Sequence, residues 1–484
     1  MIRKRITDIY IILLLTVFPL CFWDYYYDIA DTKFVVFTGM TLGTLIAFVL
    51  CRGKYIINSP VKWILIWCMA NILSFLVSSY KRTALMGTSG RDYGLITVLC
   101  ITVMFIIIVS ARPDKEKFIN IFIITSVIVS ILAVINSYGI DFIGFYKGVR
   151  PDLRMYYQTT LGHVDICSSF FSLALPMAAV MAVKEKRRDK KVSYMLSSFI
   201  IFAGMFGGGC DSGYINMAVM VIPAIVYFKD YKSIAAFSFM CIVMIWIAKV
   251  MMVINHRVES SREMDSISVI LTDTRVEVLL SICILSVILV CVCRIRAGAD
   301  KCRILRLTLL CGIMIIAAVF TGAFVYFTFI DTESDIGSMA NLLRFNDEWG
   351  SCRGYVWRVT VERFINLPWY NILFGTGPDT LECMLTPVYG DEMLSRFDAL
   401  YDNAHNEYLQ YLFTTGITGF ISYAGVVFAS VKSGIRNLKA DEDAAPFLIA
   451  AVCYLVQAAV NINQVITTPF MFLSLAMIAF CKEG

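Results

Sequence analysis

Long apolar runs are the feature that most constrains how this chain can fold. A helix needs roughly 20 consecutive apolar residues to cross the hydrocarbon core of a bilayer, and the sequence holds about 14 runs of about that length. Only 16% of the residues are charged, whereas soluble domains are about one quarter charged. We therefore expect an all-α polytopic membrane protein with about 12–14 transmembrane helices. The runs lie near residues 6–23, 34–50, 61–79, 94–111, 118–138, 166–183, 192–209, 213–228, 233–254, 276–293, 307–329, 407–431, 446–461 and 465–481.

Basic residues predict the orientation of these runs. Short cytoplasmic loops of membrane proteins are enriched in lysine and arginine. Arg3, Lys4 and Arg5 precede the first run, and a dense basic stretch occupies residues 184–191, in a loop on the same predicted side. We therefore expect both termini in the cytoplasm. The net charge of +5 follows from these basic loops and does not indicate a nucleic-acid partner.

A long polar segment divides the chain into three predicted parts. Residues 330–406 are far more than an ordinary connection, and they contain arginines and many acidic residues but no lysine. We predict an N-terminal transmembrane bundle over residues 1–329 with about 11 spans, a large extracytoplasmic loop domain over residues 330–406, and C-terminal transmembrane helices over residues 407–484.

The polar segment also contains a pattern that predicts a helix. Trp357, Val361, Phe364 and Ile365 recur at helical spacing before Pro368. This spacing indicates an amphipathic helix that lies along the membrane surface. The same segment holds Cys352 and Cys383, which could form a disulfide if their geometry allowed it.

His405 is the first candidate for a functional side chain. It is one of three histidines and lies where the polar segment enters an apolar run. An imidazole has an unperturbed pKa of about 6.5, so it can accept a proton from a hydroxyl at neutral pH. Gly416 and Gly419 are three residues apart and would share one helix face. They would let a neighbouring helix approach closely and fix the position of His405. The alternative is an interfacial histidine that only caps the helix.

Arginines on the predicted outer side form a second group of candidates. A guanidinium group offers a fixed fork of donors that suits phosphate oxygens. The alternative for each is a contact with lipid headgroups. His163 is a weaker candidate at another outer boundary, and His256 fits an interfacial role. The arginines are Arg91, Arg150, Arg154, Arg257, Arg275, Arg353, Arg358 and Arg363.

Several motifs are absent from the sequence. It has no Walker A motif and no GxGxxG, so neither an ATP site nor a dinucleotide site is indicated. The only Asp-x-Asp pattern is Asp441-Glu442-Asp443, on the predicted cytoplasmic side. We therefore predict neither a cofactor nor a metal, and a metal-dependent reaction with a nucleotide sugar on the outer face is not expected.

The motif around His405 resembles that of a known family. His405-Asn406, then nine residues, then Gly416-x-x-Gly419 is similar to the signature of the superfamily of O-antigen ligases and Wzy-type O-antigen polymerases. Arg353-x-x-x-Trp357 resembles the family's segment upstream of the histidine. One feature differs, because family members often carry Ser-Arg after the mid-chain glycine-rich turn, and here no arginine follows the turn at residues 207–209.

The resemblance implies a metal-independent, inverting glycosyltransferase of the membrane GT-C-like type. It would lie in a bacterial cytoplasmic membrane with its active site on the extracytoplasmic face. The donor would be an oligosaccharide on undecaprenyl pyrophosphate, with its lipid tail between helices. Further partners would be a glycan acceptor, membrane lipid, and a chain-length regulator or flippase.

The resemblance also implies roles for individual residues. His405 would take the proton from the acceptor hydroxyl. Arg91, Arg154 and Arg353 would stabilise the leaving pyrophosphate. Asn406, Gly416 and Gly419 would be structural members of the motif. The list of implied site residues is therefore His405, Arg91, Arg154, Arg353, Asn406, Gly416 and Gly419.

Three functions stay open at this point. The first is a polymerase that joins repeat units of a cell-surface polysaccharide. The second is a ligase that moves finished glycan to a lipid, a teichoic-type polymer or a protein. The third is a non-enzymatic transporter or flippase of lipid-linked sugars. The long polar segment on one side and the scarcity of charges within the runs, where Lys249 is an exception, argue against the third.

Overall fold

The computed structural model describes residues 2–26, 28–51, 53–258, 264 and 266–481, and it is helical almost throughout. The sheet content of these residues is one antiparallel ribbon of Tyr157–Gln158 with Gly162–His163. The helices are α1 (Ile2–Leu20), α2 (Ile29–Leu50), α3 (Ser59–Val77), α4 (Lys81–Met86), α5 (Leu95–Ala111), α6 (Lys115–Ser137), α7 (Val164–Lys184), α8 (Arg188–Gly207), α9 (Asp211–Tyr227), α10 (Tyr231–Asn255), α11 (Ser266–Thr272), α12 (Thr274–Arg296), α13 (Arg303–Phe329), α14 (Ala340–Leu343), α15 (Trp349–Ile365), α16 (Trp369–Phe374), α17 (Leu381–Phe397), α18 (Glu407–Asn437), α19 (Ala444–Gln457) and α20 (Thr468–Ile478).

The apolar runs and the helices coincide. Every predicted run falls on one of these helices, which confirms an all-α polytopic membrane protein. Within the described residues, 8 helices are long and apolar enough to cross a membrane. Shorter apolar helices at Leu95–Ala111, Gly213–Tyr227, Ala444–Val460 and Thr468–Ile478 account for further runs. The remaining two runs lie on α1 and α8, which carry charged residues in their first turns.

Helix α7 lies at the centre of the bundle. Residues 165–183 of this helix are all buried, and they pack mainly between α8, α9 and α19. Helix α13 is the opposite case, because none of its described residues is buried and its apolar side chains face outward. A helix that is apolar on all sides is either buried in a protein core or surrounded by lipid. Helix α7 is in the first environment, and the exposed apolar surface of α13 suits the second. The first turn of α7 is therefore held rigidly inside the protein.

The polar segment folds as a layer of short helices with its own apolar core. Tyr355, Val356 and Val359 of α15 pack against Leu385 and Met393 of α17. The predicted helix is therefore present, but its apolar residues do not share one environment. Val361 and Ile365 are exposed, with relative exposures of 48% and 66%, because the buried face of α15 is the one turned to α17.

Two sequence-based expectations about this region need correction. Cys352 and Cys383 are both free cysteines, so they do not form the disulfide considered from the sequence. Gly416 and Gly419 do not share a face of a regular helix, because Gly416 has φ 67° and ψ −174° and interrupts α18. A Cβ at Gly416 would lie 2.5 Å from backbone atoms of Leu373 and Gly375. The close neighbour is thus the turn after α16 rather than another membrane helix.

Candidate functional site

The chain before α18 holds His405 in a defined and unusual conformation. His405 has φ 47°, in the left-handed region that non-glycine residues rarely adopt. Its main-chain N–H donates to Asn403 Oδ1 at 2.9 Å. Trp357 Nε1 donates to the carbonyl of Ala404 at 2.9 Å, which ties the loop to α15. The backbone of His405 is therefore fixed by the polar segment and not by lipid.

Asn406 has a structural role that the geometry explains. Its side-chain oxygen accepts from the N–H groups of Tyr408 and Leu409 at 3.0 and 3.1 Å. This is the hydrogen bonding of an N-cap, which satisfies donors that the first turn of a helix leaves unpaired. The His-Asn pair thus places the imidazole immediately before a capped helix start.

Asp165 brings three nitrogen-bearing side chains together. Its Oδ2 lies 4.0 Å from His405 Nδ1, 3.8 Å from Arg353 Nη2 and 3.7 Å from His163 Nδ1. Its Oδ1 accepts from Cys210 Sγ at 2.8 Å. The carboxylate is in the first turn of α7, and its side chain is only 10% exposed. The structure therefore joins His405 and Arg353 through a residue far away in the sequence.

Arg91 forms a second cationic position near His405. It makes an ion pair with Asp402, three residues before the histidine, and its own side chain is 8% exposed. The Arg91 carbonyl accepts from the N–H of Val465 at 2.9 Å. Close by, Asp379 Oδ2 accepts from the N–H of Thr88 at 2.8 Å. Arg91 is thereby anchored to both the polar segment and the C-terminal helices.

The charges around His405 decide its protonation. Burial and, to a smaller extent, the charge of Arg353 lower the pKa of His405 to about 3, although the charge of Asp165 opposes both. Arg91 also lowers it and Asp402 raises it, so all of these groups act on one imidazole. His405 is consequently neutral at neutral pH and has a lone pair that can accept a proton.

Two carboxyl groups near Arg91, those of Asp92 and Asp379, have raised pKa values, whereas the pKa of His405 is lowered. Burial raises the pKa of Asp379 to about 7, although the charge of Arg91 opposes this. Burial and the charges of Asp31 and Asp379 raise the pKa of Asp92 to about 7. Two carboxyl groups near Arg91 are therefore partly protonated at neutral pH.

Arg154 is not brought to this cluster. It lies in the 3-10 turn Pro151–Tyr156, its side chain is exposed, and its Nε donates to the carbonyl of Val149 at 3.3 Å. His256 is also elsewhere, with Nδ1 2.7 Å from the carbonyl of Met252. Of the three arginines that the resemblance implied, the structure groups Arg91 and Arg353 with His405.

Sequence reasoning missed the acidic members of the site. Asp165, Asp402 and Asp379 were not among the predicted site residues, yet each contacts or acts on one of them. One signal was available for Asp165, because an ionisable residue that borders a membrane-spanning run is a candidate for a functional site. Within the described residues, no group of three or more His, Cys, Asp or Glu side chains is arranged to hold a metal ion.

An apolar groove runs along α18. It has a volume of about 710 Å³. Tyr408, three residues after His405, lines the groove near the start of α18, and Lys432 lines it near the far end. Val427 of α18 and Leu455 of α19 lie on its walls. The groove therefore lies between α18 and α19, and Tyr408 at one end of it is three residues from His405.

These features define a polytopic membrane protein with a neutral imidazole and two guanidinium groups at one end of its bundle. Such a site is suited to removing a proton from a hydroxyl while it stabilises an anion. Residues 264–424 match the family model described as O-antigen ligase, Wzy_C, and this match confirms the family resemblance carried by the motif at His405. No curated protein matches the chain. Arg353, His405, Asn406, Gly416 and Gly419 lie inside the matched region, whereas Asp165 and Arg91 precede it.

Proposed function

We propose that this protein is a membrane glycosyltransferase that uses an undecaprenyl-pyrophosphate-linked oligosaccharide as donor. It acts on the extracytoplasmic face of a bacterial cytoplasmic membrane and joins repeat units of a cell-surface polysaccharide. The observation that carries the proposal is the neutral His405 beside Arg353, within residues that match the O-antigen ligase family. We expect a chain-length regulator or a flippase as its partner in the same membrane.

The proposed reaction is one displacement at the anomeric carbon of the donor. His405 takes the proton as the acceptor hydroxyl loses it, and the acceptor oxygen bonds to the anomeric carbon with inversion. The bond from that carbon to the pyrophosphate oxygen breaks, and undecaprenyl pyrophosphate leaves. Arg91 and Arg353 stabilise the charge that develops on it. Both arginines have a buried Nε without a hydrogen-bond partner among the described residues, so each has donor capacity for a ligand.

Donor binding would also make His405 a stronger base. With a pKa of about 3, the imidazole of the free protein is a poor proton acceptor, since general bases work best with a pKa near the working pH. A pyrophosphate next to Arg353 and Arg91 would cancel their positive field at the imidazole and raise its pKa. Proton abstraction is thereby coupled to an occupied donor site. Arg154 is on an exposed loop, so it would contribute only if that loop moved inward.

The groove along α18 supports a lipid-linked donor. After the break at Gly416, helix α18 rises about 1.5 Å per residue, so the stretch from Phe420 to Ile435 that lines the groove covers about 22 Å, or most of a hydrocarbon core of about 30 Å. A polyprenyl tail in this groove would keep its pyrophosphate at the His405 end. The exposed apolar side chains of Ile365 and Trp369, at 66% and 71%, would let the polar segment rest on lipid.

An assay with purified protein in nanodiscs tests the proposal. Undecaprenyl-pyrophosphate-linked repeat units are supplied alone, and products are separated by size. A ladder of lengthening products is expected for a polymerase, and it should vanish in His405→Ala while the protein stays inserted. His256→Ala is the matched control, because His256 is remote from the cluster, and it should retain the ladder.

The other outcomes distinguish the alternatives. If transfer occurs only once, and only after a distinct acceptor is added, the protein is a ligase and not a polymerase. Movement of lipid-linked sugar across the bilayer without any transfer would identify a transporter instead. A normal ladder from His405→Ala would remove the proposed base.

A further inference from the structure

We propose that Asp165 is a positioning residue that fixes the tautomer of His405, so that Nδ1 carries the hydrogen and Nε2 is the atom that accepts the proton. The inference rests on the proposed function, since it concerns the same imidazole. It assigns a role to a residue that lies outside the region matched to the O-antigen ligase family.

The direction of the Asp165 carboxylate is the first argument. Cys210 Sγ donates to Oδ1 at 2.8 Å, which leaves Oδ2 turned toward the nitrogens of His405, Arg353 and His163. An ionised carboxylate only accepts hydrogen bonds. A nitrogen that faces Oδ2 is therefore favoured when it carries a hydrogen, unless another donor already occupies its lone pair, as the main-chain N–H of Asp165 does at His163 Nδ1.

The surroundings of His405 Nδ1 are the second argument. This nitrogen is buried and has no hydrogen-bond partner among the described residues, although the side chain as a whole is 24% exposed. The exposure comes from other atoms of the side chain. A hydrogen on Nδ1 would face Oδ2 at 4.0 Å, whereas a lone pair there would face a negative charge. The separation is about 1 Å longer than a hydrogen bond, and contacts of this kind often tighten when substrate binds.

His163 supplies an internal contrast. Its Nδ1 accepts from the main-chain N–H of Asp165 at 3.2 Å, so a neutral His163 carries its hydrogen on Nε2. Asp165 thus fixes two imidazoles in opposite tautomers, one through its main chain and one through its carboxylate. A change of the carboxylate alone should affect His405 and leave His163 in place.

The backbone of Asp165 does not depend on its carboxylate. The Asp165 carbonyl accepts from Asn461 Nδ2 at 3.0 Å, and Asn461 also donates to Ser169 Oγ at 2.8 Å. Asn461, in the turn after α19, thus holds the main chain of Asp165 at the start of α7. An Asp165→Asn variant keeps these bonds and removes only the negative acceptor. The charged groups that face His405 are then Arg353 from α15, Arg91 from the turn before α5, and Asp402 from its own loop.

The sharpest test uses the small number of histidines. The chain has three, so His163→Gln with His256→Gln leaves His405 as the only imidazole. Solid-state 15N NMR of this protein, labelled at histidine, reports the tautomer directly. We expect a protonated Nδ1 and an unprotonated Nε2 at neutral pH, and we expect the ratio to shift toward the other tautomer after Asp165→Asn. A protonated Nε2 in the protein that retains Asp165 would overturn the proposal, whatever the variant does.

Kinetics give the second readout, in the protein with all three histidines. Asp165→Asn should lower kcat by about 10²-fold or more, because loss of the carboxylate in other histidine-carboxylate pairs costs up to about 10⁴. The KM for the donor should change little, and Asp165→Glu should restore part of the rate. Ser169→Ala is the structural control, since it removes one bond of the Asn461 clamp and keeps the carboxylate.

The outcomes separate this proposal from the proposed function. An active His405→Ala would refute the base itself. An inactive His405→Ala together with an Asp165→Asn variant of unchanged kcat and unchanged pH profile would refute the positioning role alone. If Asp165→Asn fails to insert, Asp165→Glu and the NMR spectrum of the protein that retains Asp165 decide the question.

Discussion

The charge of Arg353 should be visible in the pKa of His405. Both side chains contact Asp165 Oδ2, at 3.8 and 4.0 Å, so Arg353 Nη2 and His405 Nδ1 are no more than about 8 Å apart. At an effective dielectric constant of about 20, a unit charge at about 8 Å contributes about 2 kcal/mol, which equals about 1.5 pKa units. Arg353→Gln should therefore raise the pKa of His405 from about 3 by about 1.5 units or more.

The measurement is a 15N NMR titration of the variant that keeps His405 as its only histidine. Arg353→Lys is the matched control, because lysine keeps the charge and loses the fork of donors, so the pKa should stay low. Arg363→Gln, on the same helix α15, controls for loss of an arginine as such. Undecaprenyl pyrophosphate should raise the pKa in the protein with Arg353 and raise it less after Arg353→Gln. A pKa that neither Arg353→Gln nor the ligand changes would refute the proposed coupling between donor binding and proton abstraction.

Further predictions concern donor binding, the groove, the helix break and acid stability. Arg353→Lys should impair transfer although the charge is kept, and unchanged turnover would reduce Arg353 to a headgroup contact. Val427→Trp, which fills the groove, should raise the KM for undecaprenyl-linked donors and leave donors with a short prenyl chain unaffected; equal effects would exclude the groove as the tail site. Gly416→Ala should lower unfolding stability by about 1–3 kcal/mol through backbone strain, whereas Gly39→Ala, with open space around its Cβ position, should not. Because His405 stays neutral in the folded protein and charges in the unfolded one, stability should fall by about 2 kcal/mol from pH 7 to pH 5, and His405→Gln should abolish that part of the loss.

The membrane helices were predictable because apolar run length is a local property. Every run fell on a helix, since a segment of this composition can satisfy its backbone in lipid only as a helix or a closed barrel. The face of α15 was harder to predict. The spacing of its apolar residues predicts a helix. Whether Val361 or Val359 is buried depends on where α17 packs, and this cannot be inferred from the sequence of α15 alone.

The site residues could be predicted from the sequence only where they are close together in the chain. His405 and Asn406 are adjacent, so their motif and the helix boundary could be recognised together. Asp165 could not be found in this way, because it meets His405 and Arg353 across the packing of α7 against the rest of the bundle. Gly416 illustrates a different limit. A glycine within an apolar helix is compatible with regular geometry, and its positive φ follows only from the backbone of residues 373–375 that lies against it.

The two halves of the site differ in rigidity, and this difference has a chemical consequence. Asp165 belongs to a helix whose residues 165–183 are all buried, and Asn461 holds its carbonyl. His405 and Asp402 instead lie on a loop that the polar segment holds. A site in which one wall is fixed and the other is carried by a separate layer can tighten around a substrate by a small movement of that layer. The 4.0 Å separation between His405 and Asp165 is the distance that such a movement would shorten. In the proposed mechanism, the family-matched residues supply the base and one arginine, while the preceding part of the chain supplies the carboxylate of Asp165 and Arg91.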